Sequence, residues 1–368
     1  MTAYELHIWG PVAGLPSFDP DCLVALLYLQ FSSQTSNHAT NYVVIPSSNP
    51  LLSPDYRLPF IRDADSGHVI ASGIYQVLRH FKSFVYDLDQ HLDQPSLGAS
   101  STAVASYVNQ HLVVLSSYIQ RVHVVNYRSL FRPAVARLAP GLPWQYLVPV
   151  WLLTAAKDRI AHVHDVDAEL DKAINDQKKQ KSASGDQFAG INFFFMKPGS
   201  QVPKPNQDIP DSIIEQVKKR TAGGATEYTA VIKMLNLATD AYAHLEQQFS
   251  KPGHDEDNGN DEERQGNSPS TDDSSSSSSS SSLLYIFGNR ASVADLFLIA
   301  HLAIESQLDY DVPFLNDLLA ARFPILLAYV GRHVSLLSNI GRQREIRFGP
   351  VDDKDVYSLR NYVRWKTG

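Results

Sequence analysis

The strongest constraint on the fold lies late in the chain. From Ser292 to Ile304 (SVADLFLIAHLAI) the sequence opens a helix and then stays apolar on nearly every side. Ser292 followed three residues later by Asp295 is an N-capping pattern. The hydroxyl accepts from a free backbone N–H of the first turn, and the acid sits where the helix dipole favours negative charge. Such a cap contributes about 0.5–2 kcal/mol. Behind it, Leu296, Phe297, Leu298, Ile299, Leu302 and Ile304 leave His301 as the polar break. A helix that is apolar all round has to be packed all round, so the remaining chain must build a shell for it. Ser292 and Asp295 are therefore expected to serve folding, as a structural cap.

The chain has 368 residues, enough for two domains and a sizeable core. Its single cysteine, Cys22, excludes an internal disulfide, a CxxC pair and a cysteine zinc cage, and fits a reducing compartment. Met1 to Trp9 carries neither the apolar run of a secretory signal nor the Arg-rich pattern of a matrix presequence. The formal charge of −7 is concentrated: eight acids against two bases between Lys251 and Asp273 leave the rest near neutral. No basic stripe of the kind that binds nucleic acid accompanies it. Leu138–Ala156 is uncharged and long enough to span a bilayer, but Pro140, Gly141, Pro143 and Pro149 are expected to break it, leaving a buried or membrane-apposed hairpin.

Tyr4–Gly10 alternates and reads as a first strand. Asp19-Pro20 opens a helix with a broad apolar face, Leu23 to Phe31. Asn41–Ile45 is a second strand, stopped by Pro46. Leu58–Asp63 and Gly67–Ile70 are two short strands around a turn, and Ser72 caps the helix that follows. Helical patterns then cover about Ser101–Arg121, Trp144–Gln180, Ile209–Phe249, Val293–Leu308 and Leu315–Leu337. Residues 251–282, ending in an unbroken serine tract, bury nothing and read as a disordered insertion.

Gly288-x-x-x-Ser292-Val-Ala-Asp295-Leu resembles the capping-box motif of the central helix in the glutathione-transferase C-terminal domain, and the order strand, helix, three strands, helix is similar to that family's N-terminal half. The fold class this implies is α+β: a thioredoxin-like βαβββα domain over residues 1–85, a linker at 86–99, and an all-α transferase-like domain over 100–345. The insertion at 251–282 interrupts that domain, and a tail at 346–368 follows it. Leu58-Pro59 falls where the family has its cis-proline. By the same resemblance the glutathione-site positions are Ser17 as thiolate donor, Leu58 with Pro59 for the peptide backbone, and Ala71-Ser72 for the γ-glutamyl end. Ala71 stands where the family has an acidic or amide partner, and a methyl group cannot hold an ammonium. These positions therefore read as vestigial, and Ser17 reads as loop chemistry beside an Asp-Pro cap.

Other candidates resolve toward ordinary roles. Cys22 lies in the first turn of a helix that must pack, where cysteines are usually buried apolar residues. His162 and His164 with Asp165 sit two apart on a helix and point to different faces, so no metal site is expected. Lys178, Lys179 and Lys181 have too few neighbouring aromatics for a nucleic-acid platform. The tail beyond Gly341 mixes Arg342, Arg344, Arg347, Arg360 and Arg364 with Val356, Leu359 and Trp365, and reads either as a surface helix or as a partner or membrane contact.

The opening segment narrows the resemblance. Tyr4-Glu-Leu-x-x-Trp9-Gly10, then Gly14-Leu15-Pro16-Ser17, then an apolar helix ending in Tyr28-x-x-Phe31 resemble the metaxins rather than the enzymatic transferases, as does Pro143-Trp144 to Pro149. The length and the insertion are similar to those of the fungal, larger metaxin-like subunit of the mitochondrial sorting and assembly machinery. The resemblance implies a non-enzymatic scaffold, with no cofactor and no metal, on the cytosolic face of the mitochondrial outer membrane. Its partners would be the barrel-forming core subunit, a second metaxin-like subunit and, transiently, the import translocase and the β-barrel precursors it helps to fold, insert and release. Nucleic acid is not among them. The C-terminal anchor of some animal metaxins is not visible here, which leaves attachment to the partners or to a segment beyond residue 368. Two alternatives stand beside this one: a glutathione-dependent transferase, and a soluble transferase-like interaction module.

Overall fold

From Leu6 onward β1 (Tyr4–Trp9) is buried on both faces, with Leu6, His7 and Ile8 completely so, as suits the central strand of a five-stranded sheet ordered β4-β3-β1-β2-β5. A computed structural model of the chain describes residues 4–33, 41–92, 94–139, 144–164, 205–220, 225–250, 285–340 and 347–350. The insertion at 251–282, the lysine group at 178–181, the side chains of His162 and His164, and the tail from 351 lie outside the described residues.

Helix α1 (Pro20–Ser33) connects β1 to β2 (Tyr42–Ser47), which runs parallel to it; β3 (Phe60–Asp63) is antiparallel to β1 and forms a hairpin with β4 (Val69–Ser72) before α2 (Ile74–Phe84). This is the βαβββα arrangement of a thioredoxin-like domain, and the Leu58-Pro59 bond that opens β3 is cis. Two local expectations fail. Pro46 does not stop β2: Pro46 and Ser47 continue opposite Ile8 and Trp9. On its other side β2 is paired at Val43 and Val44 alone, so the missing N–H removes no ladder bond there. Nor is Ser72 the helix cap. It is the last residue of β4, and Gly73, at φ 76°, is the N-cap. A positive φ at that corner suits glycine. The strand β5 (Arg347–Phe348), unforeseen in the sequence, returns from the helical half to the edge of the sheet beside β2.

The helical half begins with α3 (Pro95–Ser117), whose first turns fall inside the stretch read as linker. Two π-helical turns, Tyr118–Val122 and Tyr127–Phe131, flank the one-turn α4 (Val124–Asn126) and lead into α5 (Arg132–Leu138) and α6 (Trp144–His164). Pro149 lies inside α6 instead of breaking it. The buried face formed by Val148, Leu152, Leu153, Ala156 and Ile160 outweighs the ~3 kcal/mol that an interior proline costs. After α7 (Asp211–Arg220) and α8 (Ala225–Ser250) come α9 (Val293–Gln307), α10 (Phe314–Arg322) and α11 (Pro324–Asn339), the last two bent by 114° at Phe323. Among the described residues no single helix is long and apolar enough to cross a membrane.

Every residue of α9 from Ala294 to Glu305 is buried. It packs against α3, α10 and α11 and, across the two halves, against α1, itself buried from Cys22 to Ser32. Ser292 and Asp295 close a capping box. The Asp295 carboxylate also reaches further than a cap. Oδ2 accepts from the Ser292 N–H (2.9 Å) and hydroxyl (2.6 Å), while Oδ1 accepts from the Ile286 N–H (2.9 Å) and the Tyr329 hydroxyl (2.7 Å). Burial raises its pKa, and these four bonds oppose the rise. From the connection between the halves, Asp89 Oδ1 accepts from the Val293 N–H (3.0 Å) and the Ser101 hydroxyl (3.2 Å). His301 shares a hydrogen bond of 3.0 Å with Ser116, and burial holds it neutral, with its pKa down to about 3.

Candidate functional site: the cleft between the two halves

The C-terminal end of β1, the N-terminus of α1 and the loop before the cis peptide bond face α3 and α6 across a two-lobed cleft. The lobes have volumes of about 530 and about 800 Å³ and share Asp21, Asp55, Tyr56, Arg57, Leu58 and Arg159. One lobe is closed by Trp9, Trp151 and Leu152, the other by Ser72, Tyr75 and Asn109.

Local chain geometry explains why this corner forms. Ala13 and Gly14 take positive φ (47° and 89°), turning the chain so that Val12 and Leu15 bridge and Phe18 drops into the core. Gly10 leaves room for α5: a Cβ there would come within 2.7 Å of Leu138 Cδ2. Asp19 then meets Arg121 of the helical half in a buried ion pair of 2.9 Å. The Arg121 guanidinium lies over the rings of Phe18 and Phe131, and Gln120 Nε2 donates to the Phe18 carbonyl (3.1 Å). This pair fixes one wall of the cleft.

Asp21 lies beside it in the first turn of α1. Burial first, and then the neighbouring Asp19 carboxylate, push its pKa up to about 7, against the opposing pull of Arg159, Arg121 and Arg57. Its Oδ1 is buried with no hydrogen-bond partner among the described residues. Cys22 is fully buried, and its thiol is pushed well above the usual range by burial and next by Asp19, with Asp21 adding to the shift; the Trp9 N–H, 3.4 Å from Sγ, opposes them weakly.

The sequence-derived positions divide between wall and interior. Leu58 lines both lobes and Pro59 follows it in the cis bond. Ser72 lines one lobe, but its hydroxyl is engaged with that of Ser53 at 2.6 Å and its N–H donates to Gln76 Oε1 at 3.2 Å. Ala71 is buried behind it. Ser17 is fully buried, accepts from the Asp19 N–H at 3.2 Å and does not line the cleft. Ser292 and Asp295 stand in the core of the helical half, away from the cleft walls. Sequence reasoning missed Asp21, Arg57, Arg121 and Arg159. The acid doublet of Asp19-Pro20-Asp21 was the available signal, since a cap requires only one of the two. Among the described residues no group of three or more His, Cys, Asp or Glu could hold a metal ion.

Residues 22–152 match the family model described as "Outer mitochondrial membrane transport complex protein". Metaxin-3 of Xenopus laevis is 29% identical over 157 residues, covering 42% of this chain and 47% of its own length. Metaxin-1 of Mus musculus is 26% identical over 196 residues, covering 52% of this chain and 59% of its own. The chain thus spans about half the length of the curated relatives it matches. A solved glutathione S-transferase of Ceriporiopsis subvermispora in complex with glutathione aligns over 89% of this chain and 97% of its own, at 11% identity and a TM-score of 0.35. At that level the strand order, and not the superposition, carries the fold. Over about half of its length, on a thioredoxin-like sheet followed by an all-α half, the chain is thus similar to metaxin-1 and metaxin-3, and its residues 22–152 match the outer-membrane transport family model.

Proposed function

We propose that the chain is a non-catalytic subunit of a transport complex of the mitochondrial outer membrane, held on its cytosolic face and supporting the folding, insertion and release of β-barrel precursors. Its partners in that role are a barrel-forming core subunit and a second metaxin-like subunit. The family match supports the outer-membrane complex.

The observation that carries the non-catalytic reading is the chemistry at the start of α1. A transferase stabilises a thiolate there with a hydroxyl or thiol. Here the corner presents Asp19 and Asp21, and Ser17 is buried away from the cleft. The neighbouring thiol, Cys22, is buried in the core and does not line the cleft; its own burial, and next Asp19, keep it neutral.

Two experiments test the reading. Native purification in detergent should bring down a β-barrel membrane protein and a second transferase-like chain; a monomer free of both refutes the subunit role. Calorimetric titration with glutathione to millimolar concentration should give no binding heat, and conjugating activity would reverse the assignment.

A further inference from the structure

The outward face of α6 is apolar where a water-facing helix would be polar. Tyr146, Leu147, Val150 and Trp151 are 52%, 48%, 53% and 44% exposed, Trp151 standing at the rim where this face meets the cleft it helps to line. At 3.6 residues per turn they fall on one arc of about 140°, while Val148, Leu152, Leu153 and Ala156 turn inward. No charge interrupts this helix until Lys157. The surrounding chain is equally one-sided: from Gln94 through Lys157 there is no Asp or Glu, against Arg121, Arg128, Arg132, Arg137 and Lys157. Arg121 is consumed by Asp19. Arg128 and Arg137 are exposed, Arg132 is half-buried, and none of the three pairs with a carboxylate among the described residues. They lie on α5 and on the π turn before it, and α5 packs directly against α6.

We infer that the packed pair α5 and α6 is a docking face for an anionic lipid bilayer, with Tyr146, Leu147, Val150 and Trp151 entering the headgroup boundary and the unpaired arginines meeting lipid phosphates. Charge decides between this occupant and a protein. A soluble partner presents both signs, and a helix pair made to meet one would carry some acids. A stretch without acids in an otherwise acidic chain complements a surface of one sign. Tyrosine and tryptophan, with an apolar ring and a polar edge, are the side chains that settle at such a boundary. The inference rests on the outer-membrane reading above and adds which face of the subunit meets the lipid.

The test uses the purified full chain in flotation assays with vesicles of phosphatidylcholine alone and of phosphatidylcholine mixed with phosphatidylinositol. The chain should float with the mixed vesicles and not with the neutral ones, and high salt should release it. Val150→Ser with Trp151→Ser, and separately Arg128→Glu with Arg137→Glu, should each weaken flotation by at least about tenfold, with melting curves unchanged because all four positions are exposed. A Trp emission shift to the blue on mixed vesicles, absent in Trp151→Phe, would locate the contact. Equal binding to both vesicles, no binding to either, or variants that float like the parent would overturn the inference. Variants that still float but no longer co-purify with the membrane complex would also overturn it, by making the face a protein contact. A chain that fails to float yet stays in the complex would refute the lipid face and leave the subunit role standing.

Discussion

Replacing Glu305 with Gln isolates one proton in the core of the helical half. Glu305 is fully buried on α9; its Oε2 accepts the Tyr242 hydroxyl at 2.7 Å and its Oε1 has no hydrogen-bond partner among the described residues. Burial raises its pKa from 4.5 to about 8, with the Tyr242 hydrogen bond opposing the rise. Because the folded value lies above the unfolded one, the native chain keeps a proton that the unfolded chain has released. The stabilisation is therefore complete below pH 4.5 and is lost as the pH climbs to about 8. One proton changes the unfolding free energy by about 1.4 kcal/mol per pH unit, which over this window amounts to about 2–5 kcal/mol. Glutamine keeps the shape and the acceptor for Tyr242 but has no proton to lose. Exchanging –OH for –NH₂ adds a fixed offset of either sign, so the slope is the diagnostic quantity. In urea unfolding followed by circular dichroism from about pH 5 to about pH 8.5, the difference between variant and parent should move steadily in favour of the variant. Parallel pH profiles would refute the reasoning.

Asp295→Ala should cost about 3–5 kcal/mol, because it leaves the Ile286 N–H and the Tyr329 hydroxyl buried without an acceptor. Ser292→Ala should cost only about 1 kcal/mol, and equal melting temperatures for the two variants would argue that Asp295 acts merely as a helix cap. Arg121→Met alone should destabilise by about 3–5 kcal/mol by stranding Asp19, and adding Asp19→Asn should recover a large share; a strictly additive double variant would refute the buried pair. Cys22 should resist aromatic disulfide reagents in the native chain and react at once in denaturant, and rapid native labelling would show an open thiol that the packing of α1 does not allow.

The sheet was readable because its determinants are local. Alternation from Tyr4 to Ile8 marks β1, Asp-Pro marks the start of α1, and a turn between two short apolar runs marks the β3–β4 hairpin. The reading failed where a long-range contact overrides a local rule. Pro46 stays in a strand because β5 pairs too little of β2 to need its N–H, and β5 comes from 300 residues away in the sequence. Pro149 stays in a helix because the face around it is buried. Ser72 leaves the cap to Gly73 because Ser53 holds its hydroxyl. In the cleft, Leu58, Pro59 and Ser72 were found through the motifs they belong to. Asp21, Arg121 and Arg159 are distant in sequence and carry no motif, so only the folded chain brings their charges together.

Asp89 has a mechanical consequence. Its one carboxylate oxygen ties the connection between the halves to the first turn of α9 and to α3 at once, through Val293 and Ser101. Pulling the sheet away from the helices would therefore strip a bond from the helix on which the whole helical half is assembled. The halves cannot work as two beads on a hinge: a cut at residue 86 would part α1 from α9 and Asp19 from Arg121, and would yield two damaged fragments instead of two domains. A partner that grips the sheet should be felt at α9, and heating the intact chain should give one calorimetric transition, with the enthalpy of a single cooperative unit.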